Sequence, residues 1–173
     1  MTSRAMANII EKRLLIKDFS DISTISLKGL IKSVGFANKK AEYIKRVANI
    51  ILNEYDGNVP DSLKELCSLP GVGNKIALLY LQTALNKCEG IAVDLHVHRI
   101  ANRLEWTGCK NTKTPEQTRK KLEELIPKED WNEINNYLVG FGQTICKSKP
   151  KCSSCLLQNT CPYRMRIDVL EDF

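Results

Sequence analysis

Apolar residues recur at helical spacing along most of the chain, and no stretch alternates as a strand would. Met6, Ile9, Ile10 and Leu14 share one face and predict a helix over residues 5–16. The same spacing predicts helices over residues 26–33 and 39–52. In the latter, Ala41, Ile44, Val47, Ala48 and Ile51 form the apolar face, while Lys39, Lys40, Lys45 and Arg46 lie mostly off it. Tyr55-Asp56-Gly57 ends that helix, and Pro60-Asp61-Ser62 starts another with Asp61 as N-cap. Leu69-Pro70-Gly71-Val72-Gly73 is a tight turn, and residues 74–86 resume as a mostly apolar helix. A short apolar run, Gly90-Ile91-Ala92-Val93, leads to Asp94 and a helix over 96–104. Thr114, Pro115 and Gln117 combine an N-cap, a first-turn proline and a capping-box partner for a helix to about Leu125. A last helix is expected over 129–143. The fold class is therefore all-α.

The length of 173 residues suggests one domain or two small ones. Hydrophobic residues at 43% and charged residues at 27% are ordinary globular usage, which excludes disordered, collagen-like and fibrous chains. No apolar run approaches the roughly 18 residues of a membrane helix, so no membrane partner is expected. The net charge of +6 permits a nucleic-acid partner without proving one, since a solvated basic surface has the same composition. Two Trp, five Tyr and four Phe are too few for a platform that stacks single strands.

Residues 145–166 differ in kind: they hold four cysteines, two prolines, five Lys/Arg and no acid. Seven cysteines is an odd count, below the density of a disulfide scaffold. The first apolar stretch carries Glu11, Lys12 and Arg13, unlike a secretory signal. An intracellular, reduced compartment follows: nucleus or mitochondrion for a eukaryotic source, cytoplasm for a bacterial one. Clustered cysteines then read first as metal ligands. Cys146, Cys152, Cys155 and Cys161 give C-x5-C-x2-C-x5-C. Four thiolates this close suit a tetrahedral zinc or an iron–sulfur cube, and spacing does not choose between them. Lys147, Lys149 and Lys151 lie on the first loop, positioned for a phosphate backbone or simply for solvent. Cys67, Cys88 and Cys109 are scattered and receive no role.

A helix, the glycine turn and a second helix form a helix-hairpin-helix pattern. Its backbone N–H groups at Leu69, Gly71, Val72 and Gly73 suit phosphate binding without base readout. Lys75 falls in the first turn of the second helix, where a cation opposes the helix dipole. That field, with desolvation, favours the neutral amine a Schiff-base nucleophile needs. Taken alone, an exposed phosphate-binding or solvent lysine fits equally. Asp94 reads as a helix N-cap or as a partly buried carboxylate facing Lys75. His96 and His98, with only Asp94 near, make a poor metal site, while Arg99 and Arg103 share a face able to meet phosphates.

These pieces in this order resemble the endonuclease III family of DNA glycosylases. The resemblance runs from about Met1 to Tyr163. It rests on Val34-Gly35-Phe36 with the basic 39–46 segment, on Leu69 to Lys75, on Ile91 to Arg99, on Leu138 to Gln143 and on the cysteine tail. It implies a two-lobed all-α fold, a barrel-like lobe over 1–89 with the hairpin and a second lobe over 90–173, with DNA across the cleft. It implies a [4Fe-4S] cluster on Cys146, Cys152, Cys155 and Cys161. It implies Lys75 as nucleophile and Asp94 as acid/base partner in a bifunctional glycosylase/lyase. The partner would be duplex DNA carrying oxidised pyrimidines or abasic sites, met by a monomer. DNA contacts are expected at Leu69, Gly71, Val72, Gly73, His96, Arg99, Lys147, Lys149 and Lys151.

Three departures from the family pattern stand out. The family normally begins a few dozen residues earlier, with a helix and a Leu-Ser-Ser-Gln-Thr segment whose Gln fills the gap left by the flipped base. Its first cysteine spacing is usually one residue longer. Leu95 stands where Thr is usual. Two alternatives follow: a truncated iron–sulfur DNA-binding protein without activity, and a zinc-bound helical module.

Overall fold

The computed structural model describes residues 2–108 and 111–171, so Cys109 lies outside the described residues. All regular elements among them are helical. The chain divides into two compact units, Met1–Gly73 and Asn74–Phe173. No helix among the described residues is long and apolar enough to cross a membrane.

The first unit holds α1 (Thr2–Glu11), α2 (Ile16–Asp21), α3 (Thr24–Leu30), α4 (Ala37–Glu54) and α5 (Leu63–Ser68). Ala5, Leu27, Ile31 and Ala41 form its buried centre, with Ile9, Phe19, Ile22, Val34 and Ile44 packed around them. The apolar face read from α4 is the buried one: Ala41, Ala48 and Ile51 are its core residues. Lys45 uses its charge internally, donating to the Ile22 carbonyl at 2.9 Å from the end of α2.

The single helix expected over 5–16 is broken. Arg13 takes a left-handed conformation (φ 49°). The Arg13 N–H then bonds Ile10 O at 2.9 Å and the Leu14 N–H bonds Ile9 O at 3.5 Å, a Schellman closure without glycine. Asp18 Oδ2 accepts from the Leu15 N–H at 2.7 Å and restarts the chain as α2. At α5 the N-cap is Ser62, not Asp61: the Ser62 hydroxyl accepts from the Glu65 N–H at 3.3 Å.

The second unit holds α6 (Asn74–Leu85), α7 (Leu95–Arg103), α8 (Pro115–Leu125), α9 (Trp131–Thr144) and α10 (Pro162–Glu171). Its core is Ile91, Val93, Val97, Ile100, Ala101, Leu122 and Leu138, with Trp106 and Trp131 partly buried against it. The capping box at α8 forms as read from Thr114, Pro115 and Gln117. Helix α10, within the cysteine tail and beyond it, was not expected. The units divide at Gly73, earlier than the 1–89 and 90–173 lobes expected from sequence. The reason lies in α6: the Gln82 side chain donates to the Asn132 carbonyl and Asn74 Nδ2 to Glu116, which tie this helix to the chain that follows it.

Candidate functional site

In the first unit, the chain after α5 makes a tight turn. The Val72 N–H donates to the Leu69 carbonyl at 3.1 Å, and Gly71 sits at φ +77°. With Pro70 before that glycine, this is the type II pattern. Gly71 is demanded by the fold twice over. Its φ excludes most side chains, and a Cβ there would lie 2.6 Å from Tyr43 Cδ2. Gly73 is different: a Cβ there would meet nothing within 4 Å. Its bareness serves no packing need inside the chain. Val72 is half-buried. Leu69 is buried (5% exposed), and its N–H bonds the Leu66 carbonyl at 3.2 Å. Leu69, buried and with its N–H occupied, shapes the turn from beneath.

In the second unit, Lys75 projects from the first turn of α6 and is exposed. Asp94 is the N-cap of α7. Its Oδ1 accepts from the N–H groups of both His96 and Val97 at 2.8 Å. The approach to Asp94 is rigid. Ile91, Ala92 and Val93 are buried, and Asn135 Nδ2 donates to the Ala92 carbonyl at 2.6 Å. Leu95 is 75% exposed.

The two arginines of α7 do not face outward. Arg99 Nη2 donates to the carbonyls of Cys146 (2.9 Å) and Gly142 (3.2 Å) and lies 3.1 Å from His96 Nδ1. Its Nε is buried without a partner among the described residues. Arg103 Nη1 donates to Cys146 Sγ at 3.3 Å and to the Lys147 carbonyl at 2.6 Å, and Nη2 donates to the Ser148 carbonyl at 2.9 Å. Its guanidinium also stacks on Tyr163, 4.4 Å from the ring centroid. The Arg99 guanidinium pins the entry of the cysteine loop. His96 is half-buried against Gly142, where a Cβ would approach His96 Nδ1 to 2.6 Å.

Cys146, Cys152, Cys155 and Cys161 line one cavity of about 20 Å³, flanked by Phe141, Ile145, Leu157 and Tyr163 among others. All four are half-buried thiols. Burial pushes the Cys152 thiol up, against the lowering influence of Arg164. The Ile145 carbonyl accepts from the N–H groups of both Lys147 and Lys151 at 3.0 Å and closes the short first loop. The side chains of Lys147, Lys149 and Lys151 are exposed. Among the described residues no three His, Cys, Asp or Glu side chains meet at the spacing a single ion needs.

Two residues emerge here in roles the sequence did not announce. Arg103 reaches a cysteine sulfur 43 residues away, a pairing no local pattern announces. Phe36, N-cap of α4 in the first unit, is 85% exposed in a left-handed conformation (φ 60°). It shares a surface depression with Lys32 and Lys39. An exposed aromatic held in a costly backbone conformation is a functional signal. The Val34-Gly35-Phe36 segment carried that signal only as a resemblance.

Residues 1–128 match the HhH-GPD superfamily base excision DNA repair protein profile. Endonuclease III-like protein 1 of Bos taurus is 47% identical over 163 residues, covering 94% of this chain and 53% of that protein. Endonuclease III of Thermotoga maritima is 40% identical over 166 residues, covering 95% of this chain and 76% of that protein. A non-covalent endonuclease III–DNA complex superposes with a TM-score of 0.87 at 31% identity, covering 95% of this chain and 76% of its counterpart. A trapped endonuclease III–DNA covalent intermediate has the same values. The chain spans about half the length of the bovine relative. A match over well more than half of the residues, with these relatives and this all-helical architecture, makes the chain a member of the HhH-GPD superfamily of base excision DNA repair proteins.

Proposed function

We propose that the chain is a bifunctional DNA N-glycosylase/AP lyase that removes oxidised pyrimidines from duplex DNA. The observation that carries the reading is the exposed amine of Lys75, one residue into α6 and directly after the glycine turn. Support comes from a structural relative trapped as a covalent protein–DNA intermediate, which requires a nucleophile on the protein.

The chemistry follows from the residues. The damaged nucleotide leaves the stack to be reached. The Lys75 amine attacks the sugar C1′, the N-glycosidic bond breaks, and the base departs with the electron pair. Loss of the amine proton and ring opening give an imine, protonated on nitrogen. This acidifies C2′–H; its removal expels the 3′ phosphate by β-elimination and nicks the strand. Asp94 assists proton transfer from the amine and stabilises the cationic sugar. Duplex DNA would be held without base readout by the backbone at Gly71 and Gly73 and by Lys147, Lys149 and Lys151, with His96 and the exposed Phe36 as further contacts, while the Val72 N–H closes the turn on the Leu69 carbonyl. Leu69 and Arg99 act from beneath.

Cys146, Cys152, Cys155 and Cys161 would hold a [4Fe-4S] cluster. Four thiols lining one cavity are the ligand set such a group takes. Arg103 is placed to donate a hydrogen bond to a coordinated Cys146 sulfur. Bound there, the cluster cross-links the tail and fixes its lysines. A brown protein after anaerobic purification supports iron–sulfur; a colourless one with bound zinc rejects it.

The test is borohydride trapping on a duplex carrying one thymine glycol. A covalent band that disappears in Lys75→Ala, while that variant still binds duplex, is the expected outcome. A band that persists in Lys75→Ala overturns the assignment. No band from a cluster-loaded, duplex-binding parent favours a DNA-binding protein without activity.

A further inference from the structure

Helix α8 carries Glu116, Arg119 and Glu123 on one face, at spacings of three and four from the arginine. Arg119 grips both carboxylates. Nε and Nη2 donate to Glu116 Oε2 (3.0 Å) and Oε1 (2.6 Å). Nη1 donates to Glu123 Oε1 (2.8 Å) and Oε2 (2.6 Å). The Arg119 and Glu123 side chains are only 18% and 16% exposed, so solvent screens this pair less than an ordinary surface one.

Each carboxylate holds a second partner outside α8. Glu116 Oε2 accepts from Asn74 Nδ2 at 2.7 Å, and Asn74 is the residue before Lys75. Glu123 Oε1 accepts from the Ile91 N–H at 2.9 Å, at the start of the buried run that ends in Asp94. Gly90 lies flat against this junction: a Cβ there would come 2.6 Å from Glu123 Oε1 and 3.4 Å from Arg119 Nη1. One arginine therefore stands at the centre of a continuous hydrogen-bonded chain. It runs from the first residue of α6 to the segment that presents Asp94. Close-packed interiors transmit displacement, so a shift at Ile91 is felt at Asp94.

We infer that Arg119 is a positioning residue: through Glu116–Asn74 and Glu123–Ile91 it sets the placement of Lys75 relative to Asp94. This rests on the lysine–aspartate reading above. Arg119 acts through its two carboxylates, a task a lysine's single point charge cannot copy.

The experiment uses the whole cluster-loaded chain with Asn74→Ala, Arg119→Met and the double variant. It measures single-turnover borohydride trapping on an abasic duplex, duplex affinity and thermal melting. Rates are compared well below each melting midpoint. Misplacement of reacting groups by about an ångström costs up to a hundredfold, so Arg119→Met should lose about ten- to hundredfold in trapping rate. Asn74→Ala, which cuts the arm to α6 at an exposed side chain and leaves Arg119 and Glu123 in place, should lose about three- to tenfold. Duplex affinity should stay within about twofold in both, a split that plain destabilisation would not produce. The double variant should be no slower than Arg119→Met, because both cuts lie on one chain. Parental rates in both single variants, or losses that add independently, overturn the inference. If Arg119→Met does not fold, Asn74→Ala decides alone. A parent that forms no adduct overturns the lysine assignment itself and the inference with it, and that failure is visible before any variant is read.

Discussion

The two glycines that flank Val72 should respond to alanine in opposite ways. Gly71→Ala places a Cβ 2.6 Å from Tyr43 Cδ2 and 2.9 Å from Tyr43 Cγ, on a backbone held at φ +77°. The left-handed conformation costs an L-residue about 1–2 kcal/mol. Crowding against a ring that must shift adds about 1–3 kcal/mol. A loss of about 2–5 kcal/mol lowers the melting midpoint of a chain this size by roughly 4–20 °C. Gly73→Ala meets nothing within 4 Å and needs no left-handed backbone. Its stability should hold or rise by up to about 1 kcal/mol, because alanine restricts the unfolded chain. If phosphate approaches this backbone, the new methyl stands in the way and duplex affinity falls. The assays are thermal unfolding by circular dichroism and anisotropy of a labelled duplex. A Gly71→Ala variant that melts with the parent refutes the turn argument. A Gly73→Ala variant that binds duplex like the parent refutes the phosphate cradle.

The remaining expectations concern charge and capping. Duplex affinity should fall steeply with salt, because the contacts proposed are largely to phosphates; a flat dependence in a titration series counts against them. Hydrogen bonds from Arg119, ahead of a smaller one from Asn74, hold the Glu116 carboxyl below its ordinary value of 4.5. Unfolded, that carboxyl takes its proton near 4.5, so its contribution is full above that pH and fades as pH falls through the lower folded-state value. Melting midpoints should therefore drop on acidification more steeply in the parent than in Glu116→Gln, and parallel curves would contradict this. Arg103→Met removes the donor to Cys146 Sγ and two carbonyl contacts, so bound cluster should bleach faster in air while helical circular dichroism persists; unchanged bleaching would reject that role. Asp94→Asn should retain melting but lose trapping, since Asn caps helices as well as Asp; Asp94→Ala should lose both, with about 1 kcal/mol from the cap.

Legibility in the sequence followed the range of each interaction. The α8 capping box was readable because Thr114, Pro115 and Gln117 solve a problem within one turn. The grouping of Cys146, Cys152, Cys155 and Cys161 around one cavity was readable because they bunch within residues 146–161. The break between α1 and α2 was not, because Arg13 closes a Schellman turn where glycine is the usual signal. Ser62 and Asp61 are adjacent residues of equal capping preference, and only geometry chose between them. Arg99 and Arg103 were read correctly as one helix face, yet that face could serve phosphates or backbone carbonyls equally. Their partners, from Gly142 to Ser148, lie more than forty residues away, beyond any periodic signal. The Asn74–Glu116 bond has the same origin at a separation of 42.

Asp94 shows why the bland and the sharp readings of a residue need not compete. Both capping bonds, from His96 and Val97, fall on Oδ1. A carboxylate has a second oxygen, and the capping geometry orients it by fixing the first. The cap thus supplies what acid/base chemistry requires, a carboxylate with little rotational freedom on a buried, hydrogen-bonded approach. The same holds for the arginines. Arg103 stabilises the cysteine loop by donating to its carbonyls, and in doing so it brings an N–H to the Cys146 sulfur. Where structure and chemistry share an atom's neighbours in this way, truncation to alanine confounds the two roles. Substitutions that preserve hydrogen-bond geometry and change only charge separate them.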